Sequence, residues 1–445
     1  MSKNELVPGT PRLGWLIDGD PNTDHVAVML QDTGNSIELT VPLKGMFSKD
    51  DPYGRWWSSG VQFGDDPDRT KHSYRPPRVL LMDDTHGPVV LLGCRSTGST
   101  SSFRVGKGHI VANFAVLGGR HLRYEKIHGL RTEVPALAAW TRLSSMEIET
   151  EANRESRIQS VQMKLANAEP IPLARSLNLE MKSTWRTERP SGGFLAYEGV
   201  ELETSIRRAR SWDDHLQIHG AVLELVSVAG WKPFGISSVK VQRTDDPERT
   251  VDGETWGERW LPVVTHRLPK HEAWTKDPRF LFPYPEVGPS GISRWLRLRK
   301  TYGRVVGPML NILRSDNKWG HPSLVQSGIA LEALGYLIDV QKNGGKSLNN
   351  RNQMNFKPGL RVILDDMSVK PFDDLEGWIK RADESYMGAK HPDRPEPDSL
   401  VQINTLRENL LILRFWIGLQ VGVKPNSLIE GLRLDPLANE FVLLE

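Results

Sequence analysis

The chain has 445 residues, of which 38% are hydrophobic and 25% are charged; this length allows two or three domains, and this composition excludes global disorder. Its 57 basic and 55 acidic residues give a net charge of +2, which argues against nucleic-acid binding through bulk charge. The single cysteine, Cys94, excludes an intrachain disulfide and is typical of a reducing compartment.

The sequence predicts a cytoplasmic protein without a membrane span. The first residues have no apolar run after Lys3, so they do not resemble a secretory signal. The longest apolar stretch, residues 410–423, carries Arg414 and Gln420 and is shorter than the roughly 18 residues that a membrane helix requires. We interpret it as a buried core helix.

Residues 1–245 carry the signals of a β-rich region. Up to about residue 205, short apolar or alternating runs such as SIELTVPL and PVVLLGC are separated by Gly, Pro, Asn and Asp. This pattern predicts antiparallel strands in a sandwich or barrel-like arrangement. One helix is predicted at residues 211–230, with Ser211 or Asp213 as its N-cap.

The periodicity changes in the C-terminal third. Residues 246–290 are rich in Pro, Asp and Glu and are interpreted as a connecting segment. Residues 291–445 have helical periodicity, which predicts five or six helices in one bundle. The expected fold class is therefore α+β, a β-rich N-terminal region followed by an all-α bundle. Because the helix at residues 401–421 is apolar nearly all round, we expect a homodimer or higher homo-oligomer to cover part of it.

The most informative segment is YMGAKHPDRPEPD, at residues 386–398. His391 precedes Pro392, and the residue before a proline is disfavoured in helical geometry, so His391 is predicted to end a helix. A helix C-terminus favours positive charge, and Lys390 and Arg394 add two cations. An imidazole beside two cations could contact a phosphate and transfer a proton near neutral pH. The ordinary alternative is a histidine that caps the helix.

This segment resembles the HEPN domain of the ApeA-like bacterial anti-phage proteins. The resemblance rests on YMGAKHPDRPEPDS, placed between a polar helix and a strongly apolar final helix, and on the preceding SLVQSGIALEALGYL. It covers roughly residues 290–435. The β-rich region, with WWSSG at residues 56–60 and its WDDHL helix, is similar in order and length to the ApeA N-terminal domain.

The resemblance implies a function. HEPN ribonucleases cleave RNA without a metal or cofactor at an Arg-x(4–6)-His motif, usually where two copies meet. Attack by the 2′-hydroxyl leaves a cyclic phosphate. The implied partners are RNA, with tRNA as one candidate, a second copy of the chain, and a phage-derived trigger sensed by the N-terminal region. The implied role is abortive anti-phage defence.

The sequence departs from this motif at the arginine. Counting back from His391, four, five and six intervening residues lead to Tyr386, Ser385 and Glu384. The nearest upstream arginine is Arg381, with nine residues between. The standard arginine is therefore missing in register.

Other cations would have to replace that arginine. Arg394, Lys390 and Arg381 are the candidates, and Tyr386 could either face the same pocket or pack in a dimer core. The ordinary interpretations are solvated charges for the first two and an ion pair with Glu384 for Arg381. A different class of function also stays open, namely a catalytically inactive HEPN domain that serves in dimerisation and in nucleic-acid or nucleotide binding.

Two further groups of residues have specific spacing. Arg297, Lys300 and Arg304 lie at i, i+3 and i+7 on one helix face, which fits either a solvated face or a track for the RNA backbone. His215 and His219 lie at i and i+4 but have no glutamate between them. We therefore predict no metal site.

Overall fold

The structure is a computed structural model that describes residues 3–18, 25–44, 53–57, 75–274 and 276–442. Of the WWSSG segment it describes Trp56 and Trp57, whereas residues 58–60 lie outside the described residues.

Eighteen strands lie within these ranges. They are β1 (Arg12–Ile17), β2 (Val26–Asp32), β3 (Ile37–Lys44), β4 (Val79–Asp83), β5 (Val89–Leu92), β6 (Arg95–Ser101), β7 (Val105–Ala112), β8 (Phe114–Leu117), β9 (Lys126–Glu133), β10 (Met146–Ala152), β11 (Ile158–Leu165), β12 (Ile171–Ala174), β13 (Leu179–Glu188), β14 (Leu195–Ser211), β15 (Ser238–Gln242), β16 (Glu248–Arg249), β17 (Thr255–Gly257) and β18 (Trp260–Thr265).

Fourteen of the strands form one antiparallel sheet in the order β12-β13-β14-β9-β15-β18-β8-β5-β4-β1-β2-β3-β7-β6. The pairs β10-β11 and β16-β17 form two separate hairpins. The sheet is joined in the middle by β18, which pairs with β15 on one side and β8 on the other. The predicted antiparallel β-rich region is confirmed, and its strands share one continuous hydrogen-bonded order.

Apolar side chains cover both faces of this sheet. All four residues of β5 are buried: Val89 and Leu91 face a core shared with β3, whereas Val90 and Leu92 face a second core that contains Tyr124. Successive side chains of a strand point to opposite faces, so a run such as VVLL predicts a strand with both faces covered.

Nine α-helices complete the described fold. They are α1 (Pro135–Thr141), α2 (Trp212–Gly230), α3 (Tyr284–Thr301), α4 (Gly303–Arg314), α5 (His321–Lys342), α6 (Phe356–Asp366), α7 (Leu375–Lys390), α8 (Ser399–Val421) and α9 (Pro425–Leu432). The last seven form the C-terminal helical region, so the predicted α+β class is confirmed.

Helix α2 begins as the sequence predicts. The Ser211 hydroxyl accepts a hydrogen bond from the Asp214 N–H, and the Asp214 carboxylate accepts one from the Ser211 N–H, both at 3.2 Å. This reciprocal pairing is a capping box. The helix includes Gly230 and ends at Trp231, which has a φ of 44°.

The C-terminal region has one helix more than the upper prediction. The stretch expected as one helix is divided at Tyr302 into α3 and α4. The Tyr302 ring lies 4.9 Å from that of Trp416 and its hydroxyl donates to Gln341. These contacts hold the break between the two helices in place.

Helix α8 is covered by its own chain. Leu406, Leu410, Leu413, Phe415 and Trp416 are each at most 1% exposed, so the predicted buried core helix is confirmed. Helices α3, α5, α7 and α9 and the end of α2 surround this helix. The expectation that an oligomer is needed to cover it was therefore wrong.

Helix α5 is different. By length and composition it could cross a membrane, but 56% of its most apolar window is buried inside the fold, as in the core helix of a soluble protein. Its outer face exposes Ile329, Tyr336 and Val340 to 44%, 39% and 41%. We call these three residues the α5 stripe.

The sheet region and the helical region pack directly on each other. The indole of Trp140 in α1 donates to the carbonyl of Phe282 at 2.8 Å, and that of Trp295 in α3 donates to the carbonyl of Ala221 in α2 at 2.6 Å. Segment 246–290, expected as a connection, contains β16, β17, β18 and the start of α3. One hydrophobic core contains side chains from β13, β14, α1, α2 and the C-terminal helices.

Candidate functional site

His391 lies where the sequence places it, at the C-terminal end of α7. It has φ −124° and ψ 109°, and its N–H donates to the Met387 carbonyl at 2.9 Å. This extended geometry is what the following Pro392 requires. The imidazole is partly exposed and makes no hydrogen bond with any residue that the structure describes, so it is accessible to a ligand.

Arg394 is held beside His391 by a turn. Its N–H donates to the His391 carbonyl at 3.0 Å, and its exposed guanidinium has no ion pair within the described ranges. The nearby Glu396 pairs with His321 at the start of α5 at 3.5 Å. Glu396 therefore leaves Arg394 available to an anionic ligand.

Tyr386 connects this end of α7 to α5. It is 1% exposed, its ring packs 4.8 Å from that of Phe356, and its hydroxyl donates to Glu332 Oε2 at 2.9 Å. Burial, and then the negative charge of Glu332, raise the pKa of Tyr386. The hydroxyl therefore stays protonated and acts as a donor to Glu332.

Lys390 belongs to the same group. Its Nζ lies 3.9 Å from Glu332 Oε2 and 5.1 Å from the centre of the Tyr386 ring. Its side chain remains 44% exposed. Glu332 therefore holds Lys390 near the helix end while leaving it in contact with solvent, one residue before His391.

Arg381 lies away from His391 and is fully engaged. It donates to both carboxylate oxygens of Glu408, at 2.7 and 3.2 Å, and to Asp374 at 2.8 Å. The expected ion pair with Glu384 was wrong, because Glu408 of α8 and Asp374 at the start of α7 lie closer. His391 follows Arg381 by ten positions, about 15 Å at the rise of an α-helix.

The basic residues of α3 and α4 form a separate surface. Arg297, Lys300 and Arg304 are all exposed, but Tyr302, beside them, packs on Trp416. His391 is instead followed by the loop that enters α8 at Ser399. Trp416 follows Ser399 by 17 positions, about 25 Å of helix. The structure therefore does not bring these cations to His391.

His215 and His219 are both buried and bonded to threonines. His219 contacts Thr132 Oγ1 at 2.7 Å and Thr204 Oγ1 at 3.0 Å, and His215 contacts Thr204 Oγ1 at 2.7 Å. The described part of the chain holds no group of three or more His, Cys, Asp or Glu residues that could bind a metal ion. These histidines attach α2 to strands β9 and β14.

Sequence reasoning missed Glu332 and Glu408. Glu332 is the only charged residue in SLVQSGIALEALGYL, and Glu408 lies in a strongly apolar helix. A lone acid in such a context needs a partner. That signal predicts a cation or hydroxyl opposite each acid, but it does not identify Tyr386 or Arg381.

Comparison with known proteins adds the family. A model of ApeA N-terminal domain 1 matches residues 12–295, from β1 to the middle of α3. No curated protein and no solved structure matches the chain. The match includes the whole sheet and stops before His391. Because it spans well over half of the chain, the protein belongs to the ApeA N-terminal domain 1 family, which suggests a role in bacterial anti-phage defence.

Proposed function

We propose that the protein is a cytoplasmic defence ribonuclease whose C-terminal region, from about residue 291, is a HEPN domain that cleaves RNA without a metal. The observation that carries the proposal is the accessible imidazole of His391, with Lys390 and Arg394 on either side of it. Imidazole is suited to general acid–base catalysis near neutral pH.

The reaction that suits this group is transesterification at an RNA phosphate. The 2′-oxygen forms a bond to phosphorus, the bond from phosphorus to the 5′-oxygen breaks, and the products are a 2′,3′-cyclic phosphate and a 5′-hydroxyl. His391 moves the proton between the two oxygens. Lys390 and Arg394 stabilise the negative charge that develops on the phosphate oxygens.

A second copy of the chain would complete the site. The α5 stripe supports this proposal, because Ile329, Tyr336 and Val340 lie at i, i+7 and i+11 on one face of an apolar helix. An exposed apolar face of this kind favours a symmetric contact with another copy. Glu332 lies on the same helix and contacts Tyr386, so such a contact would bring the two His391 sites near the dimer axis.

The sheet region is the proposed sensor of a phage-derived trigger, and tRNA is one candidate substrate. The core that α2 shares with the C-terminal helices supports the proposal that one region senses the trigger and the other cleaves RNA. A change of conformation on the sheet side could reach the helices through that packing.

One observation favours the alternative, a HEPN domain that binds without cleaving. Arg381 is engaged by Glu408 and Asp374, and Tyr386 occupies an in-register position of the missing arginine. If Lys390 and Arg394 do not replace that arginine, the site would bind RNA without accelerating its cleavage.

Phage protection separates the two functions. Cells that produce wild type, His391→Ala, Arg394→Ala or the control His121→Ala, which changes an exposed histidine of the sheet region, are challenged with phage. If the protein acts as a ribonuclease, we expect cells with His391→Ala to lose phage protection. Cells with Arg394→Ala should be protected more weakly, and cells with His121→Ala should be protected like those with wild type. Equal protection by His391→Ala and wild type would support the binding module.

A further inference from the structure

A cleft of about 830 Å³ lies between α2, α3, α4 and the short turn Ser176–Asn178. Its lining combines the sheet region, through Arg210 and Gln217, with the helical region, through Arg297, Lys300 and Asn311. The volume is within the usual range for small-ligand sites.

The charges in the cleft do not balance. Five cations line it, Arg210, Arg297, Arg299, Lys300 and Arg314, against the two acids Asp214 and Glu224. Glu224 is occupied, because it accepts hydrogen bonds from Arg299 at 3.2 Å and from Arg314 at 3.0 Å. Asp214 is also occupied, in the capping box of α2 with Ser211.

Three cations therefore remain without an acidic partner among the residues that the structure describes. They are Arg210, Arg297 and Lys300, and all three are exposed. The lining also includes the apolar residues Ile218, Leu296, Val306 and Leu310. A compact anion with several negative charges would satisfy the three cations together.

The walls of the cleft are fixed before any ligand binds. Glu224 is 8% exposed and anchors Arg299 of α3 and Arg314 of α4 to α2. The short turn that contributes Ser176 and Leu177 to the lining is joined to β14, because Asn178 donates to the Ser205 carbonyl at 2.9 Å. Preorganised walls reduce the entropy lost on binding.

We propose that this cleft binds a small ligand that carries two or more phosphate groups. The ligand would bridge the sheet region and the helical region and so could transmit a signal between them. This site does not depend on RNA cleavage at His391, since neither His391 nor any residue of α7 or α8 lines the cleft.

Arg304 distinguishes this proposal from an RNA track along the basic residues of α3 and α4. The sequence spacing places Arg304 on one helix face with Arg297 and Lys300, but the break at Tyr302 puts Arg304 on α4, so the three do not lie on one continuous helix. Arg304 is exposed and does not line the cleft. An RNA backbone that follows this basic surface would contact all three cations. A small ligand in the cleft would contact only the first two.

The experiment is calorimetric titration of the full chain with inorganic pyrophosphate, ATP and a ten-nucleotide single-stranded RNA at low salt. The proteins are wild type, the double variant Arg297→Ala/Lys300→Ala and the matched control Arg304→Ala. We expect wild type and Arg304→Ala to bind pyrophosphate or ATP alike and the double variant to bind at least about tenfold more weakly. Thermal melting should be equal for the three proteins, since the changed side chains are exposed.

Three results would overturn the proposal. The first is no binding of pyrophosphate or ATP by wild type at millimolar concentration. The second is unchanged binding by the double variant, which would place the anions elsewhere. The third is binding of RNA only, weakened by Arg304→Ala as well as by the double variant, which would establish a backbone track instead.

Discussion

The hydroxyl of Tyr386 donates to the Glu332 carboxylate at 2.9 Å, and Lys390 lies 3.9 Å from the same oxygen. One acid on α5 thereby positions two residues of α7 next to His391. In the proposed ribonuclease, Tyr386 is a positioning residue, and Lys390 is the one that reaches the phosphate.

Tyr386→Phe removes the hydroxyl but keeps the ring that packs on Phe356. We expect a loss of stability of about 1–2 kcal/mol, because the hydroxyl donates to Glu332 at 2.9 Å and also accepts a long hydrogen bond from Lys390 at 3.5 Å. RNA cleavage should fall by less than about tenfold, because Lys390 keeps its ion pair with Glu332. Urea denaturation and cleavage rates measure the two effects. A loss of cleavage as large as that of His391→Ala would instead make Tyr386 a catalytic residue.

Arg414 and Asp435 form a completely buried ion pair with two N–O distances of 2.7 Å. Arg414 also donates to the Val228 and Ala229 carbonyls at the end of α2, both at 2.9 Å. Asp435→Ala leaves the guanidinium buried without a counter-ion, which costs about 3–5 kcal/mol. We expect the free energy of unfolding to fall by this amount in urea denaturation.

The matched control for Asp435→Ala is Glu376→Ala. Glu376 is 76% exposed and lies 3.1 Å from Arg361, which is 56% exposed, so its removal should cost less than about 1 kcal/mol. Similar losses for the two variants would show that the Arg414 pair does not join α8 to α2 as the structure indicates.

Acid should destabilise the protein through His219. Burial, assisted by His215, lowers the pKa of His219 from 6.5 to about 3. Below pH 6.5 the unfolded chain binds a proton that the folded chain does not, so stability falls as the pH falls. At pH 5 the protonation of this residue in the unfolded chain lowers the free energy of unfolding by about 2 kcal/mol. His219→Gln should show a smaller loss between pH 7 and pH 5 than wild type. Identical pH profiles of unfolding would contradict the assignment.

Local sequence patterns predicted individual strands and helices better than the pairing between distant strands. The alternation in SIELTVPL matches β3, in which Ile37, Leu39 and Val41 are buried. Of the two predicted N-caps of α2, Ser211 and Asp213, the structure has Ser211. The strand order could not be predicted from such patterns, because β9 pairs with β14 and β15, which are distant from it in the chain. Register along one strand does not specify which distant strand completes it.

In the candidate site, too, the position of His391 could be predicted from the sequence, whereas the contacts between distant residues could not. Pro392 is sufficient to place His391 at a helix end, because the constraint is local. The partners of Arg381 and Tyr386 are 27 and 54 residues away in the chain, and only packing of α7 against α8 and α5 brings them together. The cleft is an example of the same kind, since Arg210 and Arg297 belong to different parts of the fold.

The most direct test of the central claim is the mapping of 2′,3′-cyclic phosphate ends in RNA from phage-infected cells that produce wild type, His391→Ala or His121→Ala. We predict new cyclic phosphate ends with wild type and His121→Ala, and a reduction of about 10²–10⁴-fold with His391→Ala. Cyclic phosphate ends that are equally abundant with His391→Ala, or absent with wild type during effective protection, would contradict the account.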